Sequence, residues 1–145
     1  MFIYKENEPE FEKSRILQYL KASYIGKGKS IIVLDDGGLP RKETKVILPF
    51  NDYKKEVDHK SDVCAVVREV LPDVDIYAIN WFGGKVKNEE ETKWLEDHAH
   101  EIDVINCSFS FAVGNSDKDL WERIERLNIP VVCSSGNDCS SIMKL

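Results

Sequence analysis

The chain has 145 residues, of which 32% are charged, and its formal net charge at pH 7 is −6. That length suits one domain spanning residues 1–145 with a buried core, and no second unit is needed to explain it. The acidic balance excludes the basic surfaces that attract nucleic acid or anionic membrane.

Met1-Phe2-Ile3-Tyr4 gives way directly to Lys5-Glu6-Asn7-Glu8, so no export leader is expected. Phe11, Ile16, Leu17 and Leu20 recur at helical spacing, and Gly26 with Gly28 ends that helix. From residue 31 onward short β-branched runs alternate with helical patterns, the mark of βαβ units around a parallel sheet. The run Ile31-Ile32-Val33-Leu34 predicts a strand ending at Asp35-Asp36-Gly37-Gly38, and Val46-Ile47-Leu48 a second short strand closed by Pro49. Val63, Val66, Val67, Val70 and Leu71 mark one face of a helix that Asp58 can cap and Pro72 ends. A strand over 74–81 and a turn at Gly83-Gly84 follow. The next helix is expected to open at Asn88, with Glu91 at capping-box spacing and Leu95, Ala99 and Ile102 as its buried stripe. After a strand over 104–109 and a loop through Gly114 comes a helix with Ser116 and Asp119 at its start and Leu120, Ile124 and Leu127 facing inward. The last strand, 130–133, is apolar throughout, as expected of a strand covered on both faces, yet few residues remain to cover or extend the sheet, so an open edge is expected there.

Cys64, Cys107, Cys133 and Cys139 match no Cys-x-x-Cys knuckle and no secreted disulfide framework, so free thiols in a reducing cytoplasm are expected. His98 and His100 are two apart, and on a helix they diverge by about 200°, which argues against a shared metal. No metal or cofactor is expected. Asp36-Gly37-Gly38-Leu39-Pro40 provides neither a dinucleotide fingerprint nor a P-loop. The apolar runs are too short to span a bilayer.

In open parallel sheets chemistry gathers at the carboxyl ends of strands. Here those ends read Ile31-Ile32-Val33-Leu34-Asp35-Asp36-Gly37, Asp58-His59-Lys60-Ser61-Asp62-Val63 at a helix start, Asp103-Val104-Ile105-Asn106-Cys107-Ser108-Phe109, and Pro130-Val131-Val132-Cys133-Ser134-Ser135-Gly136-Asn137-Asp138. In this order they resemble the subtilisin-like serine proteases, the subtilases, whose motifs include Gly-His-Gly-Thr-His-Val-Ala-Gly and Val-Val-x-Ala-Ala-Gly-Asn-Asp. The resemblance covers residues 26 to 138. It implies an α/β fold, a three-layer doubly wound parallel sheet of subtilisin type, truncated so that the chain supplies only the earlier strands and helices. It also implies that Asp35 and His59 are the acid and histidine of a triad, that Asn137 is the oxyanion donor, and that Ser108, Phe109 and Ser110 border the substrate groove. The family's Gly-Thr-Ser segment has no counterpart, because Cys139-Ser140-Ser141-Ile142-Met143 offers no such sequence. Lys60 stands where the family has Gly, and a cation there is expected to lower the imidazole pKa and to obstruct the groove. Asp36 replaces a hydroxyl residue and sets a second carboxylate beside the first.

These features leave three readings open. One is a pseudoprotease that binds a peptide or protein, covering its open sheet as a homodimer or with another chain. Another is a protease fragment that becomes active with a complementing serine-bearing chain. The third is an unrelated doubly wound domain that binds a small ligand.

Overall fold

The computed structural model describes residues 26–36, 38, 44–50, 59–81, 85–109 and 118–134. The N-terminal helix, the turn at Gly83-Gly84, the loop through Gly114 and the caps Asp58 and Ser116 lie outside the described residues. Within them the order is β1 (Ser30–Asp35), α1 (His59–Val70), β2 (Asp75–Asn80), α2 (Lys85–His98), a 3-10 turn (Ala99–Glu101), β3 (Val104–Cys107), α3 (Lys118–Glu125) and β4 (Val131–Cys133).

The strands form one parallel sheet in the order β2-β1-β3-β4. Every residue of β1 is buried, as an unbroken β-branched and leucine run requires when both faces are covered. The chain steps from β1 to β2 in one direction and from β2 back past β1 to β3 in the other. Because parallel crossovers are right-handed, that reversal places the connecting helices on opposite faces. Two cores follow from it. Ile31, Val33, Cys64, Val74, Ile76 and Ala78 pack beneath α1. On the other face Ile32, Leu34, Ile79, Leu95, Ile105, Leu120 and Ile124 pack with α2 and α3. The result is the expected three-layer, doubly wound α/β arrangement.

Local chemistry fixes the joints. Gly26 has φ +76°, and a Cβ there would sit 2.9 Å from Val74 Cβ, so the turn into β1 demands glycine. Asp103, just before β3, accepts the Ser30 backbone N–H at 2.9 Å and the Lys29 ammonium at 2.8 Å, which sets the register of β1 on β3. Arg68 donates to the carbonyls of Pro72 and Val74, both at 2.7 Å, and to that of Lys45, tying down the end of α1. Asn128, at φ 56°, turns the chain out of α3 in the left-handed conformation that asparagine tolerates.

Several expected boundaries shift. Residues 46–48 form no strand: Ile47 alone bridges to Tyr77, its N–H bonding the Ile76 carbonyl at 2.7 Å and its carbonyl accepting from Ala78 at 3.0 Å. The Lys45 carbonyl is committed to Arg68 and Pro49 has no N–H, so the ladder cannot extend either way. The helix expected to start at Asn88 starts at Lys85, and Asn88 is a buried interior residue whose carbonyl accepts from Thr92 Oγ1 at 2.8 Å. Ala99 of the expected stripe falls in the 3-10 turn. Among the described residues β4 is the outer strand of the sheet, with Val132 55% exposed and Cys133 exposed, so its apolar run is not covered on both faces. Among the described residues no helix is long and apolar enough to cross a membrane.

Candidate functional site

The sheet reverses its winding between β1 and β3, and ligands of open α/β sheets bind outside the strand ends at such a point. Asp35 closes β1 there. Alternation along the strand puts its side chain on the α1 face, in line with Ile31 and Val33, and leaves it only 3% exposed. One carboxylate oxygen accepts the backbone N–H of Asp36 at 2.8 Å, and the other accepts from His59 Nδ1 at 2.9 Å.

His59 is the first residue of α1, and its side chain is 55% exposed. A buried acid thus holds an imidazole at the surface. Donation from Nδ1 fixes the tautomer and leaves Nε2 as the ring's acceptor. The hydrogen bond to Asp35 is the main cause of a raised His59 pKa. Burial opposes the shift, and the charges of Asp35, Asp36 and Asp62 add to it.

Asp36 has a structural task that its sequence context did not reveal. Its Oδ1 accepts the backbone N–H of Lys60 at 3.3 Å and that of Gly38 at 3.5 Å. A carboxylate thereby satisfies an otherwise unpaired donor in the first turn of α1, where the helix dipole also favours negative charge. The clamp fixes α1, and with it His59, against the end of β1.

Lys60 differs from expectation. It is fully buried within the first turn of α1, so it does not lie across an open groove. The imidazole pKa is raised and not lowered, because three carboxylates act on the ring and the Lys60 charge is felt instead by Cys64. Burial nevertheless dominates at Cys64 and pushes its thiol up to about 12.

The alternation of β3 separates its candidate residues. Val104 and Asn106 share the α1 face with Val33, and continuing the register brings Ser108 level with Asp35 on that face. Asn106 Nδ2 donates to Ser108 Oγ at 2.9 Å. Phe109 points to the other face and packs against Trp121, with ring centroids 6.5 Å apart. Ser110 and Asn137 lie outside the described residues. Asn80 and Asn106 were not singled out as site residues; Asn80 is paired with Asp35 across β1 and β2 and is buried on the same face. Asn80 closes β2 as Asp35 closes β1, so its place as a polar residue at a strand's carboxyl end was the signal that could have found it.

Donor atoms of Asp35, Asp36 and His59 all lie within 4.8 Å of one another, close enough for one cation. Two of them are already joined by the Asp35–His59 hydrogen bond, and Asp36 holds the helix start. His98 and His100 go separate ways: His98 donates to the Trp94 carbonyl at 2.8 Å and stacks on that indole, and His100 pairs with Glu101 at 3.3 Å.

An acid–histidine pair at a parallel-sheet switch point, on a three-layer fold, is the arrangement against which known structures can be compared. The crystal structure of MycP1 with its N-terminal propeptide removed, a subtilisin-like protease, superposes with a TM-score of 0.67 at 15% identity, over 95% of this chain and 52% of that one. The fold is subtilisin-like. The chain spans about half the length of MycP1, and at this identity the likeness speaks for fold alone. No family model matches the sequence. The DNA polymerase catalytic subunit of Gallid herpesvirus 2 is 26% identical over 100 residues, 65% of this chain but 8% of that protein, a stretch too small to carry a relationship.

Proposed function

We propose that the chain is a subtilisin-like pseudoprotease, which presents an acid–histidine pair but binds a peptide or protein without cleaving it on its own. The observation that carries this reading is the 2.9 Å bond from a buried Asp35 to an exposed His59 at the switch point of a subtilisin-like fold. In a serine-protease triad the aspartate sets the imidazole tautomer and stabilises the imidazolium while the histidine takes the nucleophile's proton. Asp35 and His59 have the geometry for those two roles. The nucleophile has no counterpart in the sequence motifs, so proton transfer at Nε2 has no serine to serve within these residues. Ser108 and Asn106, on the same face and mutually hydrogen-bonded, offer polar groups to an extended chain laid across the strand ends. Asn137 would complete the site as oxyanion donor.

The test is a panel of fluorogenic peptides, read both for cleavage and, by anisotropy of labelled uncleavable analogues, for binding. Background hydrolysis together with saturable binding that weakens in Ser108→Ala is the expected result. Turnover abolished by His59→Ala would overturn the inactive assignment, and absence of binding across the panel would overturn the binding role.

A second reading is favoured by one observation, the flank of the sheet at β3 and β4 that the described residues leave open, where Val132 is 55% exposed. On this reading the flank receives a serine-bearing chain and the pair regains catalysis. Mixing the chain with a separately produced serine-bearing half of a subtilisin-like protease separates the two. Turnover that requires both components and His59 supports complementation, and its absence leaves the pseudoprotease reading in place.

A further inference from the structure

Strands β3 and β4 run parallel with Ile105, Asn106 and Cys107 opposite Val131, Val132 and Cys133, so two cysteines face each other on the last rung of the sheet edge. The Ser134 N–H closes that rung on the Cys107 carbonyl at 3.1 Å. The two side chains lie on the α2/α3 face, and burial raises the pKa of both thiols, their mutual interaction raising Cys107 further and partly offsetting the rise at Cys133. Access divides in the same way, because Cys107 is buried in the core and Cys133 is exposed.

We propose that Cys107 and Cys133 form a redox-active dithiol, which hydroperoxides convert to a cross-strand disulfide fastening β4 to β3. The exposed Cys133 attacks the O–O bond as thiolate, giving a sulfenic acid and releasing hydroxide. The Cys107 sulfur then attacks that sulfur, the S–O bond breaks, and the sulfenic hydroxyl leaves as water with the Cys107 proton, while the proton first lost by Cys133 neutralises the released hydroxide. Overall, two thiols and one hydrogen peroxide give one disulfide and two waters. Neighbouring strands lie about 4.7–4.9 Å apart, inside the roughly 4.4–6.8 Å between Cα atoms that a disulfide spans. Parallel Cβ atoms at that spacing are somewhat farther apart than the ~3.8 Å typical of a disulfide, so β4 must lean inward. An edge strand with one neighbour can do so. The residual distortion keeps the bond easy to reduce, which suits reversible use. The disulfide would anchor the root of the segment that continues from Ser134 toward Asn137.

This inference does not depend on the proposed protease ancestry, since it uses only the two thiols and their register. The test is hydrogen peroxide treatment of the whole chain, alkylation of remaining thiols, and mapping of unreduced peptides by mass spectrometry, in both the natural chain and Cys139→Ser. The expected product in both is a Cys107–Cys133 linked pair, two hydrogens lighter and reversed by dithiothreitol. Cys107→Ser should leave a sulfenic acid at Cys133 that dimedone traps, and Cys133→Ser should leave Cys107 unoxidised. Both thiols are held protonated by loss of water, so the rate should rise about tenfold per unit between pH 7 and 8. Exclusive linkage of Cys133 to Cys139, crosslinking only between chains, or direct over-oxidation of Cys133 in the natural chain would each overturn the proposal.

Discussion

The two faces of the sheet are built differently. The face under α2 and α3 is closed by a continuous core and braced outside it by Arg123, which holds both oxygens of Glu96 at 2.7 Å and also reaches Glu89. Trp81, Trp121 and Phe109 extend that core toward the strand ends, the two indoles 4.9 Å apart. On the opposite face, among the described residues, α1 packs over β1 and β2 with Val104 of β3 at its margin, and toward the ends of β3 and β4 that face presents Asn106, Ser108 and an exposed Val132. The closed face holds the sheet together, and the partly open one carries the acid–histidine pair. Stability and site chemistry should therefore respond to different substitutions.

The largest expected effect lies in the closed face. Ile124→Ala removes a fully buried side chain of α3 and should cost about 2–5 kcal/mol, read as a lower urea midpoint at unchanged slope. Gly26→Ala follows, on the side of the sheet that α1 covers. The positive φ and the 2.9 Å approach to Val74 together predict a loss of about 1–3 kcal/mol, because neither contact partner is the free end of a flexible chain. A cost at Gly26 equal to that at Ile124 would mean that the two faces share the load more evenly than their packing indicates.

How much of this contrast was legible in the sequence depends on the range of the signal. Residues 31–34 could be read as a buried central strand because a continuous β-branched run has few other uses, and α1 because its valines repeat at helical spacing. Asp35 and His59 were legible as a pair only through their shared resemblance, and each alone reads as a turn or helix-start residue. The open edge at β4 was expected from the truncated resemblance and not from the strand itself: Val131, Val132 and Cys133 look identical to a central strand, and coverage depends on which elements arrive from elsewhere. Asp36 and Lys60 misled for a related reason. Their roles, a helix clamp and a buried cation, follow from how α1 docks on β1, which residue type does not encode.

A smaller effect is expected at the brace. Arg123→Ala removes a partly exposed bidentate pair worth about 0.5–1 kcal/mol, and the loss should shrink with added salt. The bond to Arg123 depresses the Glu96 pKa, so this contribution is present above pH 4.5 and disappears as pH falls through the lower folded value. The natural chain and the variant should thus converge in stability toward acid.

On the site face the pH dependence has the opposite sign. His59 has a folded pKa above 6.5, so its contribution is complete below 6.5 and is lost as pH rises through the folded value. Asp35→Asn removes the main cause of that elevation. The imidazole should then titrate lower by NMR, with little change in the unfolding transition above neutral pH. An unchanged His59 titration would show that the 2.9 Å bond does not persist in solution and would remove the support for the two proposed roles.

The smallest expected effect on stability is at Val132, and it tests the open flank most directly. Val132 lies on the site face of an edge strand and is 55% exposed, so Val132→Lys removes little buried surface and should change monomer stability by no more than about 0.5 kcal/mol. Its effect on association should be large by comparison. An apolar residue on an edge strand invites pairing with another chain, and a lysine there both adds charge and must be desolvated in any such contact. If the flank is covered by a second copy, light scattering over a dilution series will show a concentration-dependent dimer for the natural chain and a monomer for Val132→Lys. A natural chain that stays monomeric at every concentration would show that the flank does not drive self-association, leaving a different partner chain as the way to cover it. A cost at Val132 as large as at Ile124 would mean that the flank is already buried in the folded chain, and the contrast between the two faces would fail.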